Sequence, residues 1–135
     1  MTWSNAYIGL PFIEKGRALD GCDCWGLVTT VFAAERGITL PSYTEDYASI
    51  AERQEIAAAF QAAEAEPWRP VALGSERAFD VGLFRRGPIA AHVGIVVAPG
   101  RMLHAEEGHD SRIEDYRGGK WRTRLIGFYR HRDLA

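Results

Sequence analysis

The sequence predicts an α+β domain, with helices in its first half and an antiparallel sheet in its second. Three observations carry that expectation. Apolar residues recur at helical spacing up to about residue 63, and from about residue 77 the period drops to two, punctuated by Gly and Pro. At 135 residues, 47% of them hydrophobic, the chain is one domain, 1–135, large enough for its own core.

Residues 2–9 can form two helical turns, capped by Thr2 or Ser4. "GLPFIEKGRALDG" (9–21) reads as loop, broken by Pro11 and three glycines. The strongest helix follows. Cys24, Leu27, Val28, Val31 and Phe32 fall at i, i+3, i+4, i+7 and i+8, one buried stripe. Asp23 stands at the capping position, and Gly37 closes the helix after Glu35 and Arg36.

"GITLPSY" is a connector, and Thr44 to about Ala63 is a second helix with acidic residues early. "EPWRPVALG" (66–74), held by Pro67 and Pro70, reads as irregular. Four strands follow in "RAFDVGLFRR", "AHVGIVVAP", "RMLHAE" and "TRLIGFYRHR", with "SRIEDY" a short fifth, so the sheet has about five.

A net charge of −2 argues against a nucleic-acid partner, which needs a basic face. No apolar run reaches the ~20 residues of a membrane span. The start, "MTWSNAYIGL", lacks the features of a secretory signal. The expectation is synthesis in the cytoplasm without a signal peptide, with another agent carrying the protein to any outside target.

Cys22 and Cys24 stand too close for an ordinary disulfide framework, which leaves metal, redox or nucleophile. Cys24 lies in the first helical turn, beside unpaired backbone N–H groups and the positive end of the macrodipole, both of which favour a thiolate. Gly26 leaves room there for a substrate backbone. A buried cysteine on an apolar stripe is also an ordinary small hydrophobe, so the helix alone leaves both readings open.

The histidines bear on that choice. Strand alternation puts Val93, Ile95 and Val97, with Leu103 and Ala105, on the core face. His92, Gly94, Val96, Met102, His104 and Glu106 then share the other, exposed face. If the hairpin sets Gly94 opposite His104, His92 is a diagonal neighbour at about 7 Å, within ring contact. Pro99-Gly100 favours a two-residue turn, which flips this parity, so the site requires a three-residue loop or a bulge. His109 and His131 read as surface or satisfied imidazoles.

"DCWGLV", "HVGIVV" and "MLHA", in that order, resemble the NlpC-type family of bacterial and phage cell-wall peptidases. These are papain-like cysteine peptidases with a D-C-x-G nucleophile motif, an H-x-G strand motif and a third polar residue twelve positions on; His92 and His104 are that far apart. Trp25 after the nucleophile, "RGITLPSY" and the start of the chain look most like the phage-tail branch, which includes tail tips, prophages and gene transfer agents. The resemblance implies a papain-like fold, N-terminal helices packed on the sheet, with Cys24 as nucleophile, His92 as general base and His104 orienting it. The Cys24 backbone N–H would be one oxyanion donor, the second being unplaced. Cys22 would be a bystander.

The implied substrate is the stem peptide of peptidoglycan, commonly at the γ-D-glutamyl–diamino acid bond, with no cofactor and no metal. Phe12, Asp23, Trp25, Arg85 and Arg86 are candidate substrate-binding residues; Lys15 and Arg17 are further cations near the Cys24 loop. Implied partners are other tail proteins, in a phage-like particle acting on the cell wall in the periplasm. Two departures stand out: Phe12 follows Pro11 where many relatives have Tyr, and Phe79-Asp80 replaces a Gly-Asp pair.

Two rival readings remain. Cys22, Cys24, His92 and His104 have the number and chemistry of a zinc site, although C-x-C is tighter than the usual spacing. The chain could also be a structural tail-assembly component with weak or no catalysis. Amidase or other acyl-transfer chemistry from the same dyad is a third variant.

Overall fold

The computed structural model describes residues 3–14, 16–41, 67–86 and 89–134, with backbone alone at 89–91. The expected helix at Thr44–Ala63 and Lys15 lie outside the described residues. Among those described, no helix is long and apolar enough to cross a membrane.

The chain opens with a 3-10 turn at Trp3–Tyr7, tighter than the two α-turns expected. The segment read as loop carries a minimal antiparallel hairpin, β1 (Arg17–Ala18) and β2 (Gly21–Cys22). Phe12 forms a parallel bridge to Cys22. This hairpin delivers the chain directly into α1, Cys24–Val31.

Asp23 is the N-cap of α1, its carboxylate accepting the Gly26 N–H at 2.7 Å. The helix ends through a π-turn, Phe32–Arg36, closed by left-handed Gly37 (φ 65°). Gly26 serves a different purpose from the one expected. A Cβ there would collide with the Gly16 carbonyl, so the glycine lets the approach loop lie on the helix.

Among the described residues the sheet has six strands rather than five: β3 (Trp68–Val71), β4 (Val81–Arg86), β5 (Ile89–Ala98), β6 (Arg101–His104), β7 (Arg112–Asp115) and β8 (Leu125–His131). Its order is β3-β8-β4-β5-β6-β7, with every neighbouring pair antiparallel. The extra strand, β3, falls in the segment read as irregular. Pro70 argued against a strand there, but among the described residues β3 is an edge, where a missing N–H costs no ladder bond on the outer side. A short helix, α2 (Gly119–Arg124), precedes β8 and was not expected.

The hairpin between β5 and β6 resolves the parity question. Ala98 pairs with Arg101 across a two-residue turn, Pro99-Gly100, with Gly100 at φ 95°. Val96 pairs with Met102, so Val97 is an extra residue, a bulge that restores the phase. The register, carried one step on, sets Gly94 opposite His104. A Cβ on Gly94 would lie 2.7 Å from Met102 Sδ and 3.3 Å from His104 Cβ.

Both faces of the sheet are covered. On one, Leu27, Val28, Val31 and Phe32 of the helical segment pack with Val81, Leu83, Val93, Ile95 and Leu103. On the other, Phe84, Val96, Met102, Tyr116, Trp121 and Phe128 form a second cluster. The face expected to be exposed is therefore buried, because α2 brings Trp121 down onto it.

Candidate active site

His92 and His104, each 1% exposed, meet on that second face. His92 Nε2 and His104 Nδ1 are 2.9 Å apart and hydrogen bonded, with the rings nearly perpendicular. On its far side His104 Nε2 lies 2.8 Å from Glu114 Oε1. Trp121 stacks on the His92 ring, centroids 4.9 Å apart, and meets His104 edge-on. The bulge at Val97, the missing Cβ of Gly94 and the cover of α2 are what allow two imidazoles to touch inside a packed layer.

Burial pushes the His104 pKa down, and the hydrogen bond and charge of Glu114 only partly offset it. Glu114 is held below the usual carboxylate range: burial opposes this, but hydrogen bonds from Arg112 and His104 prevail. Arg112 Nε donates to Glu114 Oε1 at 2.9 Å, and Trp121 Nε1 to Oε2 at 3.3 Å. Arg112 and Lys120 also reach the buried Glu106.

Cys24, 5% exposed, is the first residue of α1, the helix that packs on β5, the strand of His92. Cys22 is fully buried, and its thiol is pushed up to about 11 by burial first and then by the neighbouring Asp23 and Cys24. Among the described residues, no group of three or more His, Cys, Asp or Glu side chains is disposed to hold a metal ion.

The remaining candidates divide. Asp23 is buried, and one carboxylate oxygen serves both the Gly26 N–H and Arg17 Nη1, each at 2.7 Å. Trp25 is 2% exposed, with its indole N–H donated to the Pro41 carbonyl at 2.7 Å. Both positions hold α1 from within. Phe12 is half-buried against the helix-side core. Arg85 and Arg86 end β4, paired with Ala90 and Ile89 just before His92; Arg85 is exposed.

Phe79 has a positive φ of 72°, a conformation that suits glycine far better. Its ring stacks on Trp3 at 4.4 Å. Asp80 keeps a structural task, holding Arg130 through two hydrogen bonds of 2.7 and 2.9 Å.

Sequence reasoning missed Glu114 and Trp121. Both stand in segments whose partners depend on strand register, which no local pattern in "SRIEDY" or "GGKWRTR" discloses.

The family model described as NlpC/P60 matches residues 9–130. The chain is 30% identical over 128 residues to a "probable endopeptidase p60" of Listeria seeligeri, covering 94% of this chain and 21% of that protein. It is 29% identical over 145 aligned positions to "tail tip assembly protein K" of Escherichia phage N15, covering 93% of this chain and 51% of that protein. The chain thus spans between a fifth and a half of these relatives' lengths. Among solved structures, the NlpC/p60 domain of the peptidoglycan hydrolase SagA matches with a TM-score of 0.62 at 18% identity, covering 93% of this chain and 90% of that one.

Proposed function

This chain belongs to the NlpC/P60 family, and from that premise we propose that it is a cysteine peptidase hydrolysing the stem peptides of peptidoglycan. The observation that carries this reading is the buried His92–His104 hydrogen bond on the strand against which the helix of Cys24 packs. A pair of buried, mutually bonded imidazoles is costly to maintain as mere packing, and it suits a base that must gain and lose a proton.

In this mechanism His92 accepts the Cys24 thiol proton as Sγ attacks the scissile carbonyl. The tetrahedral oxyanion is met by the Cys24 backbone N–H at the start of α1. His92 passes its proton to the leaving amine, the C–N bond breaks, and a thioester remains. Water attacks the thioester while His92 takes one of its protons, then returns it to the departing thiolate. His104 orients the base, and Trp121 offers its face to the imidazolium that forms.

The bond proposed is the one between γ-D-glutamate and the diamino acid. Its carboxylates would find Arg85 and Arg86 beside the His92 strand, with Phe12 lining the approach. Asp23 and Trp25 act behind Cys24 rather than on the substrate. The likeness to a tail tip protein supports a place in a phage-like tail that opens the cell wall from outside, with other tail proteins as partners. The same likeness favours the second reading, a tail component whose role is assembly.

Defined muropeptides digested with wild type, Cys24→Ala and Cys22→Ala, read by mass spectrometry, test activity, bond and nucleophile together. The expectation is cleavage by wild type, none by Cys24→Ala, and substantial cleavage by Cys22→Ala. A folded Cys22→Ala as dead as Cys24→Ala would overturn the nucleophile assignment. A wild type that leaves every stem peptide intact would favour the assembly role.

A further inference from the structure

We propose that Glu114 is a positioning residue that fixes the tautomer of His92 from two residues away, through His104. The inference deepens the peptidase reading and rests on it for its catalytic meaning, since a base is needed only if Cys24 reacts.

The argument follows the protons along the chain. An ionised carboxylate can only accept, so the His104 nitrogen 2.8 Å from Glu114 Oε1, Nε2, must carry the hydrogen. A neutral imidazole has one N–H. His104 Nδ1 is therefore a bare acceptor, and the hydrogen in its 2.9 Å bond to His92 Nε2 belongs to His92. His92 has then spent its one N–H, and its Nδ1 keeps the lone pair that a general base requires. Reversing the order would aim a His104 lone pair at a carboxylate oxygen and place the His92 hydrogen on the nitrogen meant to take one.

Two conditions must hold, and the surroundings supply both. Glu114 must be ionised, which the hydrogen bonds from Arg112 and His104 favour despite burial. His104 must be neutral, which its burial favours. The carboxylate is also unable to swing away. Arg112 grips Oε1, the oxygen facing His104, and the Trp121 indole N–H reaches Oε2, so the carboxylate is held at both oxygens. Trp121 couples the two ends directly, since the same indole stacks on His92. A purely structural Glu114 would need no particular oxygen directed at Nε2.

The test is nitrogen-15 NMR of the histidine rings in the full chain near pH 7.5, beside kinetics on stem peptides. Two variants of similar volume, Glu114→Gln and Glu114→Met, separate the acceptor from the packing. In wild type both His92 and His104 should carry hydrogen on Nε2. In Glu114→Met, which has no oxygen, that single pattern should be lost and kcat should fall at least about tenfold with KM little changed. Glu114→Gln can still turn its oxygen to Nε2 and should keep the tautomers, with kcat between the other two. Wild-type His104 found protonated on Nδ1 overturns the proposal whatever the variants do. So does a Glu114→Met with unchanged tautomers, or with kcat within twofold of wild type. The NMR readout needs no substrate: expected tautomers in a protein inert to stem peptides would sink the peptidase reading and leave the relay standing.

Discussion

The two faces of the sheet are both closed to solvent, yet they are closed by different physics. The α1 face is a plain apolar seam, in which Leu27, Val31, Phe32, Val81, Ile95 and Leu103 are essentially without exposure and nearly any conservative volume would serve. The α2 face buries His92, His104 and Trp121 to the same degree, but each must stand in one orientation for its hydrogen bonds to close. One face holds the molecule together through area; the other, in the function proposed, gives direction to a proton. Cys24 belongs to the first face by packing and, on our reading, to the second by chemistry.

That contrast can be broken by substitutions that harm one face and spare the other. The largest effect belongs to His92→Ala, which should cut kcat/KM by about 10²–10⁴ while thermal unfolding changes little by comparison. It should also slow alkylation of Cys24 by iodoacetamide at neutral pH. Unchanged alkylation would mean that the thiol and the imidazole do not cooperate. Next comes Leu27→Ala, expected to cost about 2–5 kcal/mol in denaturant melts. Its kcat per titrated thiol should stay near wild type, and an equal loss of kcat would show that the faces are not separable.

The smallest effect sharpens the comparison through pH. Burial lowers the pKa of His104 on one face and of His131 beside Trp68 and Phe32 on the other. Below about pH 6.5 the unfolded chain binds protons that the folded one resists, so stability falls on acidification. The melting temperature should drop by about 2–5 °C between pH 7.5 and 5.5. His131→Phe should flatten that slope without changing kcat at pH 7.5; an unchanged slope would remove His131 from this account.

The contrast also explains what could be read from the sequence. The α1 face was legible because a helix writes its buried side into local spacing: Cys24 to Phe32, the Asp23 cap and the Gly37 stop all stand as expected. The short motifs around Cys24, His92 and His104 carried the family. The α2 face was misread as exposed, since its cover comes from Trp121, seventeen residues beyond His104 in a helix too short to show a period. Glu114 was invisible for a related reason. Its link to His104 exists only once β6 and β7 pair with Met102 opposite Glu114. Strand β3 was lost to a general rule about proline that edges escape.

The bulge at Val97 has a consequence for how this hairpin can change. Its tip is pinned from outside, with Gly100 N–H donated to the Tyr116 hydroxyl at 2.8 Å and the Tyr116 N–H donated to the Gly100 carbonyl at 3.0 Å. The turn therefore cannot slide to absorb an altered strand. Drawing Val97 into the ladder, with the Pro99-Gly100 turn in place, would set Val97 opposite Met102 and Ile95 opposite His104, one residue out of phase, whereas deleting Val97 outright would leave Val96 opposite Met102. Length here has one tolerant point: a residue lost at the bulge leaves the phase as it is, and a single residue lost from β6 does not. A spare valine in a run of valines keeps the histidine pair in phase by standing outside the ladder.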